Sequence, residues 1–268
     1  MKRIAITLLL ALLSVVHSYG LSASDDASAY GSSWSDGSNF GTGFDVWNLS
    51  DNNHDHTTFF AGAFIGDSTA GAGNINTGTN QSFGLFAHPA GAFIDATRGF
   101  ASSLAANDRF SVKLGLNYNN GNKGIVLLSG TTQVVGFNVG TTTEIITDAA
   151  FTNNSTVANY DYGGNDAVID VVIQVINAGS LSYQISRTST DGTQGTLFSG
   201  TISGITAAID NVKFYNSGTD NGDAQNNLYF NSLNVTNVPE PAHSVLALAI
   251  VALIAAGISR RRKTATAL

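Results

Sequence analysis

Residues 109–118, RFSVKLGLNY, show the strict alternation that is typical of a half-buried β-strand. Up to residue 116, every second side chain is large and apolar, and the residues between them are Arg, Ser, Lys and Gly. Because successive side chains of an extended chain point to opposite faces, one face of this segment is apolar and the other is polar. The stretch therefore predicts a strand that covers a hydrophobic core.

Similar short runs recur along the chain and are separated by clusters of Gly, Asn, Asp, Ser and Thr. They include FFAGAFIG (59–66), SFGLFAH (82–88) and AVIDVVIQVIN (167–177). About a dozen short strands joined by turns predict an all-β fold, a two-sheet antiparallel jelly-roll-like sandwich over residues 40–237. Residues 24–39 are predicted to form either a loose leader or an edge strand.

The layout of these runs resembles the concanavalin A-like and laminin-G-like jelly rolls of exported proteins. The segment IDNVKFYNSGTDNGDAQNNLYFNSLNV (209–235) carries the resemblance best. It is similar to the closing pair of such a sandwich, in which two long strands flank a polar loop. The resemblance implies a β-sandwich with the option of carbohydrate binding.

Charge and cysteine content exclude several classes of function. Residues 24–238 carry six basic against eighteen acidic side chains, so this body has a net charge near −12 and would repel nucleic acid phosphates. The chain has no cysteine, which excludes disulfides and thiol chemistry. We therefore expect no nucleic acid partner and a stability that depends on the sheets and their core.

The N-terminus has the pattern of a secretory signal peptide. Lys2 and Arg3 precede an apolar run, Ile4–Val16, which is followed by small residues. Thirteen residues at a rise of about 1.5 Å reach only ~20 Å, which is too short to span a bilayer. Residues 1–23 are therefore predicted to be a signal peptide, with cleavage between residues 18 and 23.

The C-terminal segment, residues 238–268, combines a Pro-Glu-Pro motif, an apolar run and a basic tail. Residues 242–259 are long enough for one transmembrane helix, about 27 Å at ~1.5 Å per residue. The basic tail at 260–263 favours the cytoplasmic side, so the body would lie outside the cytoplasm. The two prolines hold Val238 and Glu240 extended, as an exposed strip that a processing enzyme can recognise.

These parts, in this order, resemble the PEP-CTERM family of exosortase substrates in Gram-negative bacteria. The resemblance implies transient anchoring in the inner membrane, cleavage by an exosortase near residues 238–241, and delivery to the cell surface or an exopolysaccharide-rich biofilm matrix. A permanent membrane anchor is the simpler alternative. The residues implied in recognition are Val238, Pro239, Glu240, Pro241, Arg260, Arg261 and Arg262.

Two polar clusters in the body have the residue types of metal sites. Asp220, Asn221 and Asp223 surround a glycine and offer hard oxygen ligands for Ca²⁺, although the same residues are also typical of a tight turn. His54 and His56 are two residues apart. On a strand, this spacing would place both imidazoles on one face, where they could bind a metal ion; the alternative is that both lie in a solvated loop. Apart from calcium at the first cluster, no cofactor is predicted.

The sequence contains no motif that indicates catalysis. Glycoside hydrolysis needs two carboxylates, and Glu144, the only glutamate of the body, has no acidic residue two positions away. No Gly-x-Ser-x-Gly nucleophile motif is present. We therefore expect a non-enzymatic surface or matrix protein that binds carbohydrate, and the alternatives are a secreted glycan-degrading enzyme and a purely structural protein.

Overall fold

A computed structural model shows the architecture of the chain and describes residues 21–52, 57–118, 120–140, 143–147, 153–158, 167–189 and 198–238. Fifteen strands lie in this part. They are β1 (Ala23–Asp25), β2 (Asn48–Asp51), β3 (Phe60–Gly66), β4 (Ser82–His88), β5 (Phe93–Gly99), β6 (Asp108–Leu116), β7 (Asn122–Ser129), β8 (Thr132–Gly140), β9 (Thr143–Thr147), β10 (Asn153–Ala158), β11 (Ala167–Asn177), β12 (Ser180–Ser189), β13 (Phe198–Ser203), β14 (Asn211–Ser217) and β15 (Leu228–Asn237). Three short 3₁₀ turns accompany them, at Ala27–Tyr30, Ser68–Ala70 and Ala224–Asn226.

The strands form two sheets. One has eight strands in the order β13-β12-β11-β6-β15-β4-β3, with β1 paired to β15 beside this path. The other has seven strands in the order β10-β9-β8-β7-β14-β5-β2. The ladders within both sheets are antiparallel. The prediction of an all-β fold built from two antiparallel sheets is therefore confirmed.

The two closing strands, β14 and β15, lie in different sheets and face each other across the core. The rings of Phe214 and Phe230 stack with their centroids 3.9 Å apart and an angle of 1° between their planes. The polar loop between these strands therefore crosses from one sheet to the other at one end of the sandwich. The predicted pair of long strands around a polar loop is observed, but the strands do not form a hairpin.

The alternation in the sequence separates core from surface in both sheets. In β14, Val212, Phe214 and Asn216 are buried, whereas the residues between them are partly exposed. The predicted strand at 109–118 behaves in the same way, as β6. Trp34 and Trp47 are both buried and pack edge to face at 5.1 Å, so neither indole is an exposed platform for a sugar ring.

The segment that precedes residue 40 is tied to the sandwich by its first strand. β1 pairs with residues 233–235 of β15, on the same edge of β15 where β4 pairs with residues 228–230. Asp25 of β1 forms a fully buried ion pair with Arg98 of β5, and it also accepts a 2.8 Å hydrogen bond from the Tyr30 hydroxyl. The guanidinium of Arg98 lies over the rings of Phe44 and Trp47, at 4.5 and 4.6 Å. These contacts connect β1 to the opposite sheet.

Candidate functional site

The outer face of the seven-stranded sheet contains an open groove of about 580 Å³. It crosses five adjacent strands, β5, β14, β7, β8 and β9, which at ~4.8 Å between neighbours corresponds to a width of about 19 Å. This size falls in the range of small-ligand sites. The lining residues are Phe93, Asp95, Asn122, Val126, Leu128, Thr131, Gln133, Gly136, Asn138, Thr147, Lys213, Tyr215 and Ser217.

The floor of the groove is apolar. Val126 and Leu128 of β7 lie at its centre and retain only 7% and 6% of their exposure. Phe93 stands at one side, 39% exposed, where its ring offers a flat apolar surface. The ring of Tyr215 lies beside them in the next strand. A ligand in this groove would therefore rest on aliphatic and aromatic carbon.

A glycine allows two polar side chains to meet across the middle strand. Gly124 of β7 lies between Tyr215 of β14 and Asn138 of β8 in the sheet register. The Tyr215 hydroxyl passes over it and donates a 2.6 Å hydrogen bond to Asn138 Oδ1. A Cβ at Gly124 would lie 2.0 Å from the Phe137 carbonyl oxygen, so no other residue fits there without a shift.

Asn138 extends this contact to a third residue. Its amide nitrogen, Nδ2, is 3.4 Å from Asn122 Oδ1 and donates to it. The hydrogen bond from Tyr215 to Oδ1 and this bond from Nδ2 together fix the orientation of the Asn138 amide.

An ion pair between β5 and β14 lies beside Tyr215 and adds a polar corner to the groove. Lys213 Nζ lies 3.0 Å from Asp95 Oδ2, and both side chains keep about a third of their exposure, 29% and 33%. Burial, and then the charge of Asp95, raise the pKa of the Tyr215 phenol. Tyr215 therefore remains a protonated hydrogen-bond donor at physiological pH.

A further polar pair closes the groove on the side of β9. Gln133 Nε2 donates a 2.7 Å hydrogen bond to Thr147 Oγ1. Gly136 lies opposite Thr147 in the register, and a Cβ there would be 2.9 Å from the same Oγ1. Amide, hydroxyl and carboxylate groups thus border an apolar floor on several sides.

A buried lysine lies behind one end of the groove, in the core. Lys123 neighbours Asn122 in β7 but points to the opposite face, with 0% exposure. Its Nζ donates to the backbone carbonyls of Tyr118 and Asn226, at 2.9 and 2.8 Å. Desolvation lowers the pKa of this amine to about 7. Asn216, opposite Lys123 in the register, donates to the same Asn226 carbonyl at 3.2 Å.

The predicted calcium residues lie in the loop between β14 and β15. Asn221 Oδ1 accepts hydrogen bonds from the Asp223 backbone amide, at 2.9 Å, and from Asn226 Nδ2, at 2.7 Å. Asp220 Oδ2 accepts a 3.1 Å hydrogen bond from Asn120. Asn221 Oδ1 therefore serves the loop's own turn, and Asp220 is bonded to a separate loop between β6 and β7. No group of three or more His, Cys, Asp or Glu side chains with the arrangement of a metal site occurs among the described residues. Calcium at this loop stays a prediction.

Most of the other predicted residues lie outside the described part of the chain. This holds for His54 and His56, for residues 1–20 of the signal peptide, for the predicted helix at 242–259, and for Pro239, Glu240, Pro241, Arg260, Arg261 and Arg262. Val238 is described. It is 39% exposed, and its backbone amide donates a 2.9 Å hydrogen bond to the Asn107 carbonyl. Within the described ranges, no helix is both long and apolar enough to cross a membrane.

The residues of the groove were not predicted from the sequence. Apart from Thr131, which lies in the turn between β7 and β8, they lie on the outer face of strands, as Lys213 and Tyr215 do in NVKFYNS (211–217). That alternation identifies the face on which a side chain lies. It does not identify which strands are neighbours. The pairing of β14 with β5 and β7, and of β7 with β8, brings Asp95, Tyr215 and Asn138 together.

Comparison with known proteins gives structural likenesses alone. No family model matches the chain, and no curated protein matches it. Three of the solved structures similar to it are lectin UEA-II complexed with galactose (14% identity, covering 67% of this chain and 92% of that one, TM-score 0.42), the Ca²⁺-bound exoplasmic/lumenal domain of VIP36 (9%, 72% and 84%, TM-score 0.44), and the CBM2 module of the evolved Dit of Lactobacillus casei BL23 phage J-1 (13%, 72% and 96%, TM-score 0.44). At such identities and scores, the fold assignment rests on the sheet topology and the choice of ligand rests on the groove.

Proposed function

We propose that this protein is an exported, non-enzymatic β-sandwich that binds carbohydrate in the groove of its seven-stranded sheet. The observation that carries the proposal is the combination of an apolar floor with a border of amides, hydroxyls and one ion pair. Sugar rings have the complementary surface, since their C–H faces are apolar and their edges carry hydroxyls that both donate and accept hydrogen bonds. Val126 and Leu128 suit the faces, and Asn138 suits the edges.

The arrangement favours binding without turnover. Two-carboxylate glycoside hydrolysis needs an acid and a second carboxylate about 5–10 Å apart. Among the groove residues that the structure describes, Asp95 carries the single carboxylate, and Lys213 holds it in an ion pair at 3.0 Å. A glycan-degrading enzyme is therefore the alternative that this site supports less well.

A glycan array with the purified full-length chain tests the proposal. We expect binding to at least one oligosaccharide, and we expect Asn138→Ala to weaken it about tenfold, since a buried or half-buried hydrogen-bonding group contributes roughly 1–2 kcal/mol. The matched control is Gln184→Ala, which removes an exposed amide from β12 of the other sheet. The full-length chain includes the helix predicted at 242–259 and is therefore handled in detergent. That detergent must lack a sugar headgroup, which would compete with the oligosaccharides of the array.

A reducing-end assay with polysaccharides, run beside the array, separates the other functions. Release of reducing ends from a polysaccharide by the wild-type chain would support the enzyme. Neither binding nor release would support a purely structural protein. Binding that Asn138→Ala leaves unchanged would place the site elsewhere.

The proposal includes a route to the cell surface. The chain would be secreted, held in the inner membrane by the helix predicted at 242–259, and cut by an exosortase at the Pro-Glu-Pro motif. The hydrogen bond from Val238 to Asn107 is formed by the residue directly before Pro239, so the motif follows the folded body without a spacer.

Intact mass of surface material from a bacterium that has an exosortase tests the sorting step. We expect the wild-type chain to end near residues 238–241, and Glu240→Ala to retain its C-terminus. Glu144→Ala, a change in the other glutamate that follows residue 23, is the matched control and should be processed normally. Surface material from the wild type that still ends at Leu268 would instead indicate a permanent anchor.

A further inference from the structure

The groove contains one acidic and one basic side chain, whose charges neutralise each other. Of its described lining residues, only Asp95 and Lys213 are charged, and they pair with each other at 3.0 Å. Asp95 lies opposite Tyr215 in the register, and Lys213 is two residues from Tyr215 in β14, so the pair occupies one corner of the binding surface. Both side chains remain about one-third exposed, which leaves them within reach of a ligand.

Each ion makes the groove unfavourable for one class of charged ligand. An anionic ligand that contacts Lys213 either displaces Asp95 or shares the ammonium with it, and in both cases two negative charges lie close together on a body that already carries a net charge near −12. A cationic ligand that contacts Asp95 either displaces Lys213 or shares the carboxylate with it, so that two positive charges lie close together. A neutral ligand can hydrogen-bond to the pair without separating it.

The rest of the border is also neutral. Asn122, Asn138, Gln133 and Thr147 offer amide and hydroxyl groups, and the hydrogen bond from Tyr215 holds the Asn138 amide in one orientation. Such groups match the hydroxyls of a sugar, which donate and accept, better than they match a carboxylate or a sulfate, which only accept.

We infer that the groove selects neutral glycans, and that the Asp95–Lys213 pair is the specificity determinant that rejects anionic and cationic ones. This inference rests on the proposed carbohydrate site and adds its ligand class. The two ions act in opposite directions. Removal of either one should admit ligands whose charge matches the residue that has been removed.

The test is an array of oligosaccharides printed as neutral, uronate-bearing and free-amine forms of the same backbones, probed with the full-length chain in a sugar-free detergent. The wild type should bind neutral forms and discriminate against both charged forms. Asp95→Asn should raise binding of the uronate forms about tenfold, since Lys213 is then available for a charge-assisted hydrogen bond. Lys213→Met should raise binding of the free-amine forms by a similar factor.

The controls come from the other sheet. Lys113 and Asp170 form an exposed pair at 2.7 Å between β6 and β11, so Asp170→Asn and Lys113→Met match the test variants in chemistry and should leave the array pattern unchanged. A wild-type preference for uronate forms, or an Asp95→Asn variant without gain, would overturn the inference while carbohydrate binding still stands. Absence of binding to every form would overturn both proposals.

Discussion

The Tyr215 hydroxyl donates a 2.6 Å hydrogen bond to Asn138 Oδ1, although the whole of strand β7 lies between their two strands. The contact is made across Gly124, which has no side chain to separate them. It links the two halves of the groove and fixes the orientation of the amide that we expect to contact the sugar. The shape of the proposed binding surface therefore depends on Tyr215, Asn138 and the glycine between them.

Tyr215→Phe should weaken glycan binding about fivefold and leave the fold intact. The ring and its apolar contact remain, but Asn138 loses the donor that orients it, and one net hydrogen bond is worth about 1 kcal/mol. Calorimetric titration with the best oligosaccharide of the array provides the measurement. Tyr183→Phe, a tyrosine of β12 in the other sheet, is the control and should bind as the wild type does. Equal affinities for both variants would argue against a role of this hydrogen bond in binding.

Gly124→Ala should destabilise the sandwich by roughly 2 kcal/mol or more, since overpacking against backbone cannot be relieved by rotation of a side chain. The added Cβ would meet the Phe137 carbonyl oxygen at 2.0 Å and separate β7 from β8. Urea unfolding followed by tryptophan fluorescence measures the loss. At Gly179 the nearest atom would be at 3.5 Å, so Gly179→Ala is the matched control and should change stability little. Similar midpoints for the two variants would contradict the predicted close contact.

The stability of the protein should rise with pH above neutrality because of Lys123. Burial lowers the pKa of this amine to about 7 from its usual 10.5, so between these values the unfolded chain binds more protons than the folded one. The free energy of unfolding should therefore increase, by roughly 3 kcal/mol between pH 7 and 9.5. The contribution is present in full above pH 10.5 and is lost as pH falls through 7.

Lys123→Met isolates this effect. The variant lacks the titrating amine, so its free energy of unfolding should show a flatter dependence on pH over the same interval. Lys113→Met, which removes a lysine with a 46% exposed side chain, serves as the control and should keep the slope of the wild type. A wild-type slope that survives in Lys123→Met would show that another group titrates.

Arg98→Met should cost about 3–5 kcal/mol of stability, because it leaves the carboxylate of Asp25 buried without its counter-ion. The double variant Asp25→Asn/Arg98→Met should lose less than Arg98→Met alone, since no charge then remains in the core. Denaturant unfolding of the wild type, both single variants and the double variant gives the coupling energy. If the double variant is the less stable one, the pair contributes through its hydrogen bonds and packing more than through charge.

If the N-terminal leader is removed, the cut should precede Ala23. Ala23 is 2% exposed and pairs with Val235, and Leu21 packs against the core, so loss of these residues would remove the start of β1. Within the predicted interval of 18–23, we therefore expect the exported protein to begin at Tyr19 or Leu21. N-terminal sequencing decides this. A stable exported protein that begins at Ser24 would show that pairing of Ala23 is dispensable.

The sequence predicted the fold class well because alternation is a local property. The pattern of residues 109–116 identifies the buried face of β6 without any knowledge of its neighbours. Sheet order is not local, however. Lys113 is next to Asp170 of β11, 57 residues further along the chain, and Asp95 is 118 residues from Lys213. The groove could not be predicted, because its residues acquire meaning only when such distant strands are paired.

Concentrated polar residues do not by themselves distinguish a ligand set from a turn. Asp220, Asn221 and Asp223 suggested a ligand set, and the structure shows Asn221 engaged in the hydrogen bonds of its own loop. The burial of Lys123 had no signal in the sequence, since NKGIVLLS places it at an ordinary inward position where an apolar residue is expected. Its carbonyl partners come from loops that the alternation does not describe.

The most direct test of carbohydrate binding in the groove is an experimental structure of the protein with the oligosaccharide that binds best on the array. We expect a sugar ring over Val126 and Leu128, with hydroxyls hydrogen-bonded to Asn138 and the Asp95–Lys213 pair unbroken beside it. A sugar bound to the loop at 218–227, or to the outer face of the eight-stranded sheet, with the groove empty, would contradict the proposed site.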